Sequence, residues 1–172
     1  MSRYDGVLTY DECKRLMGTA RDKTNGKPLM QNTRLYEQKI RCGRYEVIMY
    51  TMHLYGHRLL GILPHGYVIS DGGWQSSTTK MRLNKYLPNN YHVYQREWVW
   101  YVKNTNTETE MEFHNGSFLD WKGRMHDSSY QFGIDEIDKL YYDWVEEKGF
   151  KHEFKHDEWA KLPVDHTMGV KE

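Results

Sequence analysis

The sequence predicts an α+β fold: a twisted, mostly antiparallel sheet of about six to seven short strands, with one inserted helix and helical N- and C-terminal additions. Three observations carry this. Residues 34 to 119 divide into short runs rich in Tyr, Ile, Val and Trp, alternating in polarity and separated by turn residues. Within them, the stretch from Thr78 to Leu87 changes to a helical period. Both ends carry stripes at helical spacing, Cys13, Leu16, Met17 and Ala20 at one and Ile137, Leu140, Tyr141, Trp144 and Val145 at the other. The organisation that follows is an N-terminal helix and loop (1–31), a β-rich core domain (32–127) and a C-terminal helical extension (128–172).

In chain order, Thr9 caps the first helix, Glu12 completes a capping box and Leu8 staples against Cys13. Asp22 to Asn32 is polar, holds Gly26 and Pro28, and reads as a loop. Residues 34 to 53 form two strands around a tight turn at Cys42-Gly43, with Tyr45, Val47 and Met49 on one face. His57 to Ile62 and Tyr67 to Ser70 form a second pair around Pro64-His65-Gly66. Ser76 or Ser77 caps the helix that Pro88 ends; Leu83, Tyr86 and Leu87 lie on its buried side, Thr78, Arg82 and Lys85 on the other. Tyr91 to Arg96 and Trp98 to Lys103 pair through a turn at Arg96-Glu97, and Met111 to Phe113 pairs with Ser117 to Leu119 through Asn115-Gly116. Asp135 caps a last helix that runs to Lys148, with Gly149 and Phe150 as its stop. No internal repeat is present.

At 172 residues the chain can bury about two thirds of its unfolded surface. Twenty-four basic and twenty-four acidic side chains cancel, so nucleic-acid binding requires a local patch rather than a global field. No run approaches the roughly 18 apolar residues of a membrane span, and Cys13 and Cys42 have no CxxC partner. These features predict a cytoplasmic protein with free, buried thiols and no membrane partner.

Gly72-Gly73 follows a strand and precedes hydroxyls and Lys80 at a helix start, where backbone N–H groups and a cation could hold a phosphate. The order is not that of a Walker A loop. The candidate ligand-binding residues are Ser76, Thr78, Thr79, Lys80, Arg82 and Lys85. The competing reading makes the same stretch a strand-to-helix joint with Trp74 as a core plug. Tyr91, Tyr94, Trp98, Trp100 and Tyr101, near Arg96 and Lys103, supply rings for base stacking, although alternation turns half of them inward. His152, Glu153 and His156 satisfy H-E-x-x-H and are the candidate zinc ligands and base; Lys151, Lys155, Asp157 and Glu158 instead suit a solvated helix face. No catalytic residue and no cofactor is assigned.

Gly72-Gly73-Trp74, Thr78-Thr79-Lys80 and Arg82-Leu83-Asn84 resemble the G-G-W-x-[ST]-x-T-T-K-x-R-[LIM]-N core of a small domain of unassigned activity that recurs in bacteriophage genomes. Asn32-Thr33-Arg34-Leu35, His53-Leu54, Pro64-His65-Gly66, Leu87-Pro88 and Trp100-Tyr101-Val102 extend the resemblance over about residues 32 to 120. His65 stands where the pattern has Asp, and Glu97 where it has Gly. The resemblance implies viral origin and transfers no catalytic residue.

Three functions follow as expectations. The first is a non-catalytic phage accessory module that binds nucleic acid or a nucleotide-like ligand through the six residues above. The second is a host-directed inhibitor acting by occlusion through the Trp144 helix and the C-terminal segment. The third is a zinc-dependent hydrolase through His152, Glu153 and His156.

Overall fold

The computed structural model describes residues 4–20 and 24–148. The H-E-x-x-H stretch and the Gly149-Phe150 stop lie outside the described residues. The elements are α1 (Tyr10–Gly18), β1 (Lys27–Met30), β2 (Thr33–Cys42), β3 (Tyr45–Leu54), β4 (His57–Leu63), β5 (Gly66–Ile69), α2 (Ser77–Tyr86), β6 (Tyr91–Arg96), β7 (Val99–Asn104), β8 (Thr109–Glu112), β9 (Phe118–Asp120), β10 (Met125–His126) and α3 (Ile134–Lys148). Seven strands form one antiparallel sheet in the order β1-β2-β3-β4-β5-β9-β10, and β6-β7-β8 form a second. The fold is α+β as expected, and the aromatic hairpin, with β8, builds a three-stranded sheet of its own beside the seven-stranded one.

The long sheet is covered on both faces, and the alternation of β3 shows how. Tyr50, Met52 and Leu54 join the larger core with Leu16 and Met17 of α1, Leu83 and Tyr86 of α2 and Trp100 of β7. Val47 and Met49 face the smaller core with Ile137, Tyr141 and Val145 of α3. Strands buried on both sides read as nearly continuous apolar runs, as β3 and β4 do. The Thr9 hydroxyl accepts from Glu12 N–H at 3.2 Å as expected, but the Glu12 carboxylate pairs with Arg15, so the capping box is half made.

Three local expectations are corrected. Lys27–Met30 is a strand rather than loop: Leu29 is fully buried, Gly26 (φ 77°) and Asn32 (φ 58°) turn the chain, and Pro28 is tolerated because β1 is the sheet edge. Asn115-Gly116 closes no hairpin, since β8 pairs with β7 and β9 with β5; the turn carries the chain from one sheet to the other. Arg96 lies opposite Val99, which moves the β6–β7 turn one residue on, to Glu97-Trp98.

The α3 helix docks through buried polar groups. His65 Nε2 lies 3.0 Å from the Ile137 carbonyl and must donate to it, and its ring packs against Phe118, Tyr141 and Trp144. Trp144 is thus half-buried, packed against the smaller core. Asp138 accepts from Gly43 N–H and the Cys42 thiol, and the Tyr142 hydroxyl accepts from Arg44 N–H at 2.8 Å. The β2–β3 turn and α3 therefore hold each other.

Burial pushes His65 down to about 4, so the unfolded chain binds the extra proton between pH 6.5 and 4 and stability falls on acidification there. Burial pushes the Asp138 carboxyl up to about 6, so the folded chain binds the extra proton between pH 6 and 4 and stability rises on acidification. The two slopes oppose. We predict that the Asp138→Asn variant, followed by urea unfolding from pH 6 to 4.5, loses stability more steeply than the parent, by up to roughly 1 to 1.5 kcal/mol per pH unit. Parallel curves contradict this assignment.

Candidate functional site

The joint between β5 and α2 is built mostly from its own backbone and short side chains. Gly72 (φ 67°) and Gly73 (φ 84°) both take left-handed conformations, and a Cβ on Gly72 would come to 3.0 Å from His57 Cβ. Asp71 Oδ1 accepts from Gly73 N–H at 2.7 Å, and the Asp71 N–H donates to Asn115 Oδ1 at 2.9 Å, tying the loop to the turn between the sheets. The Ser76 hydroxyl accepts from Thr79 N–H at 3.1 Å as the helix cap, and the Thr79 hydroxyl donates to the Trp74 carbonyl at 3.0 Å. These bonds fix the backbone of Trp74. Its side chain is 74% exposed, so Trp74 is a presented ring and not the expected core plug.

Arg82 lies under the helix rather than on its solvent side. It is 8% exposed; Nε donates to Thr33 Oγ1 at 2.8 Å and Nη2 to the Gln31 carbonyl at 3.3 Å. Leu83 fills the larger core, and the Asn84 side chain brackets Val93, accepting from its N–H at 2.7 Å and donating to its carbonyl at 2.8 Å. Three consecutive residues thus hold α2 to the β1–β2 turn, to the core and to β6. Of the six residues expected to bind a ligand, Ser76, Thr79 and Arg82 spend their polar groups within the fold, and Lys85 pairs with Asp5 at 3.0 Å. Thr78 and Lys80 stay at the surface, half-exposed, with Lys80 Nζ 5.7 Å from the Trp100 ring centroid and 3.5 Å from Gln95 Oε1.

The aromatic strands divide by alternation. Tyr91, Val93, Trp100 and Val102 turn inward, while His92, Tyr94 and Tyr101 stack outward at centroid distances of 5.6 and 5.8 Å, with Arg96 lying 4.4 Å over Tyr101. Trp98 belongs to neither row. It occupies the hairpin turn at φ 70°, behind Glu97 at φ 50°, and is 89% exposed. Strand directions bring this turn, the Tyr55-Gly56 turn, the Trp74 loop and the start of α2 to one end of the molecule. That end presents Tyr55, Trp74, Met81 and Trp98, with exposed His57 and Arg58 and half-exposed Lys80. The sequence reading placed Trp98 at the start of a strand; the pairing of Arg96 with Val99 moves it into the turn, where a two-residue loop leaves its ring no core to face.

The family model described as the Kyanoviridae Gp96 protein matches residues 21–120, more than half of the chain. The chain belongs to this family. It is therefore a phage protein, and the match begins ahead of β1 and ends with β9, leaving α1 and α3 outside the shared region. No curated protein and no solved structure matches. Among the described residues no helix is long and apolar enough to cross a membrane, and no three His, Cys, Asp or Glu are placed to hold a metal. His53 bonds Thr51 Oγ1 at 3.0 Å while His57 points to solvent, and both cysteines are buried with their thiols pushed well above the ordinary range by burial.

This division of labour gives a stability test. Removing hydrogen bonds made by a buried charge costs about 1.5–3 kcal/mol, whereas exposed side chains change stability by roughly 0.5 kcal/mol or less. Chemical denaturation is expected to show Arg82→Met well destabilised by that larger amount, and Trp74→Ala and Lys80→Ala close to the parent. Equal losses in all three contradict the placement.

Proposed function

We propose that this protein is a phage accessory module that binds single-stranded nucleic acid by stacking bases on Trp74 and Trp98, with Lys80 and Arg58 placed for the backbone phosphates. The observation that carries the reading is the backbone of Trp98. A bulky L-residue in the left-handed region costs about 1–2 kcal/mol, and glycine would remove that cost. Trp98 is nevertheless there, almost wholly exposed, where it contributes nothing to either core. The conformation itself closes the β6–β7 hairpin, whose two-residue turn needs φ above zero at both positions; a large exposed ring there in place of glycine adds nothing to that closure, and this supports its use by a ligand.

The surroundings support a planar, anionic polymer over a compact phosphate. Two indoles and the Tyr55 phenol stand at one end on backbone held by hydrogen bonds or tight turns, so little backbone freedom is lost on stacking. The formal charge of zero leaves recognition to this local arrangement, which suits a weak, salt-sensitive binder. The phosphate-loop version of the idea draws less support, because Ser76, Thr79 and Arg82 are already engaged.

Titration with oligo-dT of about ten nucleotides, followed by tryptophan fluorescence, tests this. Quenching is expected at low salt, and Trp74→Ala and Trp98→Ala should each weaken binding roughly 5- to 100-fold, the range for one stacked base. Lys80→Ala should lower the slope of log affinity against log salt by about 1. Absence of quenching at low salt, or full binding by the double tryptophan variant, overturns the proposal.

A further inference from the structure

The β3–β4 hairpin shares a feature with the β6–β7 hairpin. Leu54 pairs with His57, so Tyr55 and Gly56 form a two-residue loop, with φ at 52° and 80°. Such a turn needs φ above zero at both positions, and Asn, Asp or Gly meets that need at the first with the least strain. This chain has tyrosine there. Its ring is 65% exposed and belongs to neither core, and its hydroxyl makes no hydrogen bond among the described residues. Two hairpins, one from each sheet, thus carry a large exposed ring on a left-handed turn residue where a small residue would close the turn.

Hydrogen bonds place α2 between these two turns. The Tyr55 N–H donates to the Asn32 carbonyl at 2.8 Å, and Asn32 belongs to the β1–β2 turn, to which Arg82 ties α2 through the Gln31 carbonyl. Lys80 and Asn84 tie the same helix to β6, at Gln95 and Val93. At 3.6 residues per turn, a residue lies almost opposite those two positions before and after it, so Arg82 marks one side of α2 and Lys80 and Asn84 the other. A helix with its side chains is about 10–12 Å wide. The Tyr55 and Trp98 rings are therefore too far apart to take the two faces of one base. Between them α2 presents Met81, 58% exposed, and half-exposed Lys80, while exposed Arg58 follows the Tyr55 turn. A stacked strand advances about 3.4 Å per nucleotide, so crossing this width takes roughly three or four nucleotides.

We propose that Tyr55 is a third stacking position at the aromatic end, and that the ligand there is an extended single strand crossing α2 from the Trp98 turn to the Tyr55 turn, not a free nucleotide. This rests on the nucleic-acid reading of that end and adds to it a minimum length of ligand.

The test follows tryptophan fluorescence of the full chain at low salt with thymidine monophosphate, the dT dinucleotide and oligo-dT of about ten nucleotides. Two variants separate ring from turn: Tyr55→Asn keeps a residue the turn favours, and Tyr55→Phe keeps the ring. The parent is expected to bind the long oligonucleotide at least 10-fold more tightly than either short probe. Tyr55→Asn should weaken the long oligonucleotide roughly 5- to 100-fold, the range for one stacked base, and leave the dinucleotide nearly unchanged. Its resistance to urea should equal or exceed that of the parent, because the left-handed strain is relieved. Tyr55→Phe should bind as the parent does. If Tyr55→Asn binds the long oligonucleotide at full strength while Trp98→Ala weakens it, the third position is overturned and the nucleic-acid reading stands. Monophosphate binding as tight as that of the long oligonucleotide overturns the extended strand. A loss of stability in Tyr55→Asn, or of binding in Tyr55→Phe, overturns the stacking role, and a parent that binds no oligo-dT overturns both readings together.

Discussion

The buried guanidinium of Arg82 is the constraint on which the arrangement at the aromatic end depends. A cation removed from water must recover its hydration through hydrogen bonds, and Arg82 recovers it from the Thr33 hydroxyl and the Gln31 carbonyl. Both acceptors sit at the β1–β2 turn, so the bonds form only when α2 lies across that corner of the sheet. The Thr33 hydroxyl in turn donates to the same Gln31 carbonyl at 3.0 Å, closing the arrangement. Leu83 and Asn84 add a core contact and a two-bond clasp on Val93, which fixes α2 against the second sheet as well. One helix therefore sets how the two sheets sit.

From that position follows the geometry of the surface. With α2 fixed, its capped first turn holds the Trp74 backbone through Thr79, and its Lys80 reaches toward β6 near Gln95. The hairpin of β6 and β7 then carries Trp98 out beyond the sheet. The same strands, followed in the other direction, deliver Tyr91 and Asn104 to the opposite end, where Asn104 bonds the Gly123 carbonyl and so links the second sheet to the β9–β10 turn. Each end is built by turns, while the middle is packed apolar strand. Phage membership and the α+β fold stand apart from these functional readings.

Much of this was legible in the sequence, and the failures have physical causes. The Thr9 and Ser76 caps, the Pro64-His65 turn and the apolar stripe of α3 are local signals, and local chemistry decided them. The edge strand β1 was hidden because Pro28 and Gly26 are usual loop residues and only the pairing to β2 makes them strand. Asn115-Gly116 is a strong hairpin dipeptide, yet tertiary pairing sent its two flanks to different sheets. Arg82 and Trp74 exchanged their expected places: hydrophobicity puts tryptophan inside and arginine outside, and no periodicity could announce that a hydroxyl and a carbonyl from residues 31 to 33 would wait beneath the helix. Within the G-G-W and R-L-N segments, the residues that look chemical are therefore the structural ones, and the one that looks structural is presented.

The central claim is that Arg82 serves the fold while Trp74 and Trp98 serve a ligand, and nitrogen-15 spectra recorded during addition of oligo-dT test it most directly. The account predicts that the Trp74 and Trp98 indole N–H signals shift or broaden while the Arg82 Nε–H signal stays in place and resists solvent exchange throughout. A response at Arg82 with both indoles unmoved would contradict it.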